Sequence, residues 1–582
     1  MKFLTTIVLI LLGALTCSGQ ARPAIQGGPR NAASYAEPTL TNGGIAQGSM
    51  FVLKGTDFGS CSANNVVIAN AFPLTTSMRT VQVRVTIGGR TYDALMIYVV
   101  VCRTGAPDQL AAILPSSVPT GSGTIQVLVN GVASDPAAIR VVSRSFGAFT
   151  WNQAGSGPVI VQNYIDAVNT PVNGLFEAAN PGQTEILWGV GLGAVSAAAE
   201  MAGPVPGDQP VSLELYVGGK SAEVTYRGRS GCCAGIDQIV FKVPQGVEGC
   251  YVNVALSVNY VVSNVGTMSI AASGKVCAEA TRLSASDLSR LSKTGSVTVG
   301  DISVVRMNVT AGSVQGTFDT GSASFRRYTN YQEVMAAAPQ SIVGLKGTPT
   351  PGSCTVIPYA FGPGSSPWKA IFPSIQDPPG AQVDAGANLR LVNAQGTQTI
   401  ARQSVNGGVD GYYLPDNTAL GGGLPAAGIP LKPEFLEPGR LTIDNGAGGA
   451  IGSFDASITI PSTQATWANQ SALSVAFRSQ AFDVRWTGGA ANELVIIVGS
   501  SADPAVNAGS AFVCVERASV GSFTVPAYVM SAMPASGNSN GMPVGWLSFS
   551  TTLATPTRFS TTNLDAGFLN YWNARIQNVT FR

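Results

Sequence analysis

The chain contains no histidine among its 582 residues. That absence removes Ser-His-Asp and Cys-His catalysis, histidine-ligated zinc and the common near-neutral proton shuttle. Carboxylate chemistry survives it, because paired Asp or Glu residues work without imidazole. Charge is scarce too: Asp, Glu, Lys and Arg make up 11% of the residues, against about 25% in an average soluble domain. With a formal net charge of +1 and a pI near 7.4, the chain has no long-range field to gather nucleic acid or an anionic membrane surface, and nucleic acid is excluded as a partner. Beyond the N-terminal segment no apolar run is long enough to span a bilayer as a helix, so the mature chain is expected to have no transmembrane segment.

What is abundant is turn chemistry, with 68 Gly and 35 Pro. That profile suits a turn-rich all-β extracellular protein, and the length requires several domains. Met1-Lys2, the apolar run Phe3 to Leu15 and small residues up to Ala21 follow the order of a secretory signal, so residues 1–21 are expected to be removed, with Gly19 at the minus-three position. Ala14-Leu15-Thr16-Cys17 spells a weaker alternative, a lipid anchor on Cys17 at the cell envelope, with Thr16 unusual before such a cysteine.

Without Cys17 eight cysteines remain: Cys61, Cys102, Cys232, Cys233, Cys250, Cys277, Cys354 and Cys514. An even set in an exported chain favours disulfides. Cys61 and Cys102 stand alone in their region and are expected partners. Adjacent Cys232 and Cys233 are expected not to bond each other, because neighbouring Cα atoms sit closer than disulfides prefer. Their partners are then Cys250 and Cys277 in an order left open, and Cys354 pairs with Cys514.

Two stretches are the same object written twice. Val81-Gln-Val-Arg-Val-Thr-Ile-Gly-Gly89 matches Val211-Ser-Leu-Glu-Leu-Tyr-Val-Gly-Gly219, and Asp108-Gln109 through Ser134 matches Asp237-Gln238 through Ser263 without a gap. The chain therefore carries a tandem module. Val81, Val83, Val85 and Ile87 answer to Val211, Leu213, Leu215 and Val217, and Ile125, Val127 and Val129 answer to Val254, Leu256 and Val258. Period two is the mark of a half-buried strand, and a slip of one residue would turn every apolar side chain to water. Gly88-Gly89, Gly218-Gly219 and Asn130-Gly131 are hairpin signals between such strands.

The expected fold class is all-β: tandem immunoglobulin-like sandwiches followed by a β-rich C-terminal region. The expected domains are a module over 27–150, a second over 151–280, a short helical linker at 281–295, a β-rich domain at 296–435 and a C-terminal sandwich at 436–582. In the linker, Ser286 is expected to cap a helix carrying Leu288 and Leu291. Further on, Phe454, Ala456, Ile458 and Ile460 alternate, as do Phe482, Val484 and Trp486, while Leu494 to Val498 forms a short buried-type run.

The opening Asn31-Ala-Ala-Ser-Tyr35, then Gly48-Ser-Met-Phe-Val-Leu-Lys-Gly-Thr-Asp-Phe-Gly59, resembles the start of a TIG/IPT module. More narrowly it is similar to the repeats of uncharacterised secreted bacterial proteins of the Solibacter C-terminal-domain type. Pro181-Gly-Gln-Thr-Glu-Ile-Leu-Trp-Gly-Val-Gly-Leu-Gly193 gives the second copy. The resemblance covers about 31–270 and implies secretion and an Ig-like sandwich, with no catalytic residues.

Candidate sites are few. Gly189-Val-Gly-Leu-Gly-Ala194 has the dinucleotide spelling, but it aligns with Gly55 and Gly59 of the first copy, and hairpins rather than a βαβ unit come after it, so a turn is expected. Gly537-Asn-Ser-Asn-Gly541 has a nucleophile-elbow spelling with no helix after it and no base, and is expected to be a loop. Phe318-Asp-Thr-Gly-Ser322 resembles an aspartic-protease loop, which makes Asp319 the alternative catalytic residue. The second loop is missing, since Asp384-Ala-Gly386 and Asp565-Ala-Gly567 lack the following Ser or Thr; a β-turn capped by Asp319 is the main expectation. Of the seven tryptophans, Trp151 and Trp572, flanked by Asn152, Asn570 and Asn573, are the expected exposed platforms for stacking a sugar. No cofactor and no metal site are expected. The reading is a secreted, non-enzymatic protein for extracellular binding or adhesion, with an extracellular protein or a polysaccharide as partner.

Overall fold

A computed structural model describes residues 21–582, apart from 62–64, 154, 197–199, 205, 279–282, 312–313, 331–333, 335–348, 362–379, 404–428 and 540–541. The expected leader and Cys17 lie outside the described residues. Among the described residues no helix is long and apolar enough to cross a membrane.

In the first copy, alternation becomes a ladder. Val81–Ile87 runs antiparallel to Gly121–Val129, with Val83 opposite Val127 and Val85 opposite Ile125, and all four side chains are buried in one core. Seven principal strands divide between two sheets. Ala24–Asn31, Met50–Thr56, Asp108–Ile113 and Leu95–Val100 pair in that order on one side; Ala137–Val142, Gly121–Val129 and Val81–Ile87 form the other. The first, second, fifth and fourth strands therefore face the third, sixth and seventh, which is the strand division of an immunoglobulin sandwich. The second copy repeats it: Gly147–Ala148, Thr184–Val190, Asp237–Lys242 and Glu223–Arg229 lie against Leu213–Val217, Gly249–Val258 and Gly266–Ile270.

The copies also share a buried carboxylate at the head of the fifth strand. Asp108 accepts from the Phe58 and Cys102 amides at 3.0 and 2.8 Å, and Asp237 accepts from the Leu192 amide at 2.7 Å. In the second copy Asp237 also pairs with Arg229, whose guanidinium donates to the carbonyls of Gly48 at 2.7 Å and Gly193 at 2.9 Å. One side chain thus ties the two modules together.

Residues 296–582 do not divide at 435. One mixed sheet takes Ser353–Ala360, Ala508–Arg517, Glu493–Asp503, Gly545–Leu553, Leu564–Asn578, Val297–Ala311 and Val314–Tyr328 in that order, so strands from both expected domains interleave. Val297–Ala311 and Leu564–Asn578 are parallel; they give the sheet its centre and make a cut near 435 physically impossible without breaking the ladder. One face is covered by two smaller sheets. Leu389, Leu391, Leu441, Ile443 and Ile458 pack on Ile302, Val304 and Leu569, while Trp467, Val484, Trp486 and Val525 pack on Val495, Ile497, Phe512 and Phe549.

The helix Ala285–Thr294 is capped by Ser284 rather than Ser286, because Asp287 sits three residues after Ser284 and closes a reciprocal capping box. It places Leu291 in a core with Val297, Val299 and Phe568, together with Leu175 and Tyr251 of the second module. The helix is thus packing material between units as well as a connection.

The structure bonds Cys61 to Cys102, Cys250 to Cys277 and Cys354 to Cys514. It also bonds Cys232 to Cys233, against the expectation from their 3.8 Å Cα separation. The physical reason is location: Cys250 and Cys277 meet in the core shared with the helix, whereas Cys232 and Cys233 occupy a turn between two strands and have only each other.

Turn chemistry differs between the copies. Asn130-Gly131 in the first is replaced by Asn259-Tyr260, where Tyr260 is held at φ 66° and is 84% exposed. A side chain in the left-handed region costs about 1–2 kcal/mol, partly offset by the added freedom glycine has when unfolded. Tyr260→Gly is therefore expected to stabilise the protein by about 0.5–1 kcal/mol, measured as a higher denaturation midpoint.

Candidate functional site

The second module carries an open cleft at one end. Trp151 comes directly after the bridge between Thr150 and Val159, and its amide donates to the Pro158 carbonyl at 2.9 Å, which fixes the turn that presents the indole. Across from it, Gly174 and Glu177 exchange two backbone hydrogen bonds of 3.1 Å. That tight hairpin has two tip residues with opposite fates: Leu175 is buried and Phe176 is 47% exposed. Trp151, 44% exposed, lines with Val172 and Phe176 a cavity of about 200 Å³.

The polar part of the cleft is rigid. Asn173 donates to Asn163 at 3.0 Å and to the Ser269 carbonyl at 2.8 Å, and accepts from the Ser269 amide. Ser269 in turn donates to the Cys250 carbonyl at 2.9 Å. The Glu177 carboxylate borders the cavity and pairs with Lys275 at 2.6 Å. An aromatic pair beside fixed amides and a carboxylate can hold a ligand that has an apolar face and hydroxyl edges. Sequence reasoning found Trp151 but missed Phe176 and Glu177; the signal was the short Asn173-Gly-Leu-Phe-Glu177 hairpin.

Trp572 belongs elsewhere. It is 4% exposed, in the centre of the large sheet with Val305, Met307 and Trp546. Its asparagine neighbours do not mark a surface: Asn570 is buried and Asn573 accepts from Asn308 at 3.2 Å.

Asp319 is not in a turn. It lies within the strand Val314–Tyr328 opposite Arg306, and Gly316 stays in the ladder opposite Val309 rather than breaking it. Both carboxylate oxygens are occupied: Arg306 donates to them at 2.9 and 2.8 Å, and the Leu436 amide adds 2.8 Å. The second carboxylate, Glu437, is joined through Arg306 at 2.8 Å, so a cation stands where a protease dyad shares a proton. Asp319 foremost, with Glu437 adding and burial opposing, holds the Arg306 guanidinium more firmly protonated than usual. Asp384 pairs with Arg402 and Asp565 with Arg290. Among the described residues no group of three or more His, Cys, Asp or Glu is placed to hold a metal.

The glycine-rich stretch is a turn, as its register implies. The Leu192 amide is taken by Asp237, which fills the place of an anion. A Cβ at Gly191, where φ is 111°, would stand 2.1 Å from the Ser145 carbonyl oxygen. Around Gly537, Asn538–Ser539 pairs with Met542–Pro543 in a small hairpin.

Glu185 was not singled out by its sequence context. It is fully buried, neither carboxylate oxygen has a hydrogen-bond partner, and burial pushes its pKa from 4.5 up to about 9. It lies opposite Asn163 in the ladder, directly behind the polar wall of the cleft.

No family model matches the chain, and no curated protein matches it. Some solved structures overlap it. SGBP-B of the Bacteroides ovatus mixed-linkage glucan utilization locus, in complex with a mixed-linkage heptasaccharide, is 12% identical over 39% of this chain and 44% of its own, with a TM-score of 0.18. Domains 5-6 of the S-layer protein SbsC are 11% identical over 43% of this chain and 98% of their own, at 0.15. The FN1-FN3 domains of chicken CNTN1 are 10% identical over 75% and 99%, at 0.11. The chain spans less than half the length of the first of these. Overlaps this slight carry no conclusion; the strand order carries the fold.

The buried charges set two expected outcomes. Arg306→Ala leaves Asp319 buried without its cation and is expected to cost about 3–5 kcal/mol, read by chemical denaturation. For Glu185 the folded pKa lies above the unfolded one, so the stability it contributes is complete below pH 4.5 and is lost as pH rises towards about 9. Wild type is expected to lose stability relative to Glu185→Gln across that window, by up to about 1.4 kcal/mol per pH unit, and denaturation midpoints at a series of pH values check it.

Proposed function

We propose that the protein acts outside the cell as a non-enzymatic binding protein, with TIG/IPT-type modules as its scaffold and the Trp151 cleft as its binding site. The ligand class is a saccharide unit of a polysaccharide. The observation that carries the reading is Trp151 and Phe176 standing exposed on one cavity beside the Glu177 carboxylate. A pyranose ring offers C–H groups to an aromatic face and hydroxyls to carboxylates and amides, so such a lining matches both its surfaces. Four disulfides fit an oxidising compartment, and the low charge fits an uncharged partner. No feature of Asp319 favours hydrolysis over binding.

The test is titration of the full chain with neutral and acidic polysaccharides while following tryptophan fluorescence. A saturable change is expected, weakened about tenfold or more by Trp151→Ala and by Phe176→Ala, with the fold intact by circular dichroism. Silence across the panel, or equal affinity in the Trp151 variant, overturns the reading.

A further inference from the structure

The turn between Glu223–Arg229 and Asp237–Lys242 leaves its own module and lies on the first. Ala234 and Ile236 pack into a cluster with Met50, Val52, Leu95 and Ile113. At Gly235 the backbone is pressed so close that a Cβ would meet Ile113 at 2.7 Å. Arg229 fastens the base of the turn to Gly48 of the first module. The Ser230 hydroxyl fastens its middle, donating to the Cys233 carbonyl and accepting from the Cys233 amide, each at 3.2 Å.

Within this turn Cys232 is exposed and Cys233 half-buried, whereas Cys250, Cys277, Cys354 and Cys514 are buried. In the first module the corresponding turn sends Cys102 to Cys61 on another loop. The second module's pair closes on itself and joins no other segment, so its bond shapes only the turn that docks the modules.

We propose that Cys232 is a modification site for small thiols, and that its modification loosens the contact between the two modules. A thiolate attacks the exposed Cys232 sulfur; the new bond is a mixed disulfide, the Cys232–Cys233 bond breaks, and Cys233 leaves as thiolate and takes up a proton. A second thiol molecule displaces Cys232, leaving two protein thiols and one small-molecule disulfide, so that one disulfide is reduced and two thiols are oxidised. Opening the ring frees the Cys232–Cys233 peptide, and with it the hold of Ala234 and Ile236 on the first module.

The test treats the full chain with graded glutathione or dithiothreitol, alkylates, maps the labelled cysteines by peptide mass spectrometry, and follows amide hydrogen exchange. Label is expected at Cys232 and Cys233 while Cys250, Cys277, Cys354 and Cys514 stay unlabelled. Exchange is expected to rise about tenfold or more in 230–236 and in the facing strand 50–56. A Cys61→Ala/Cys102→Ala variant keeps this response, and a Cys232→Ala/Cys233→Ala variant exchanges fast with no thiol added. Cys232 unlabelled when Cys61 is already labelled, or labelled with exchange unchanged, overturns the proposal.

Discussion

A β-strand has two faces, and from Gly249 onward much of this chain has to hide both. Gly249–Val258 shows why. In the first module its counterpart, Gly121–Val129, keeps Ser122, Thr124 and Gln126 towards water; in the second, Tyr251, Asn253 and Ala255 stand at those positions and are buried. The inner residues Val252, Val254 and Leu256 fill the sandwich core, while Ala255, Val262 and Val265 join the core of the C-terminal unit. Tyr216 stacks on Tyr528 with ring centroids 4.5 Å apart across the same junction. Hydrophobic burial, at about 25 cal/mol per Å², therefore welds the second module to the C-terminal unit and leaves the first attached through fewer groups.

That asymmetry explains where the copies diverge. The core residues repeat because both sandwiches need the same filling. The buried Asp at the head of the fifth strand repeats because both must satisfy loop amides that would otherwise be stranded. Arg229, the cysteine turn and Tyr251 do not repeat, since each serves a neighbour that only the second module has. The cleft with Trp151 and Phe176 lies at that module's other task, a rigid end where loops carry side chains that the core does not use.

The sequence made the tandem sandwiches legible because Val83, Val85, Val127 and Leu215 alternate in a phase that only one register satisfies. The alternation through Ala456, Ile458 and Ile460 placed its strand for the same reason. The pairing of Val299 with Ala566 was not legible, since parallel partners far apart leave no local signal. Trp572 was misplaced because flanking asparagines imitate a surface, although the strand passes through the middle of a sheet. The Cys232–Cys233 bond was missed because a rule about preferred separations cannot register that every other cysteine is already taken. In the cleft, Trp151 was visible as an aromatic among turn residues, while Phe176 needed the hairpin that turns its neighbour Leu175 inward.

The parallel centre of the large sheet sets an order of events. Residues 299–310 hydrogen-bond to 566–577, and neither strand can finish its ladder alone. During synthesis and export the upstream strand must wait, unsatisfied, until nearly three hundred later residues have emerged. The modules ahead of it have every strand they need already in hand and close first. A chain built this way stays threadable through a narrow pore at its rear while its front has already folded.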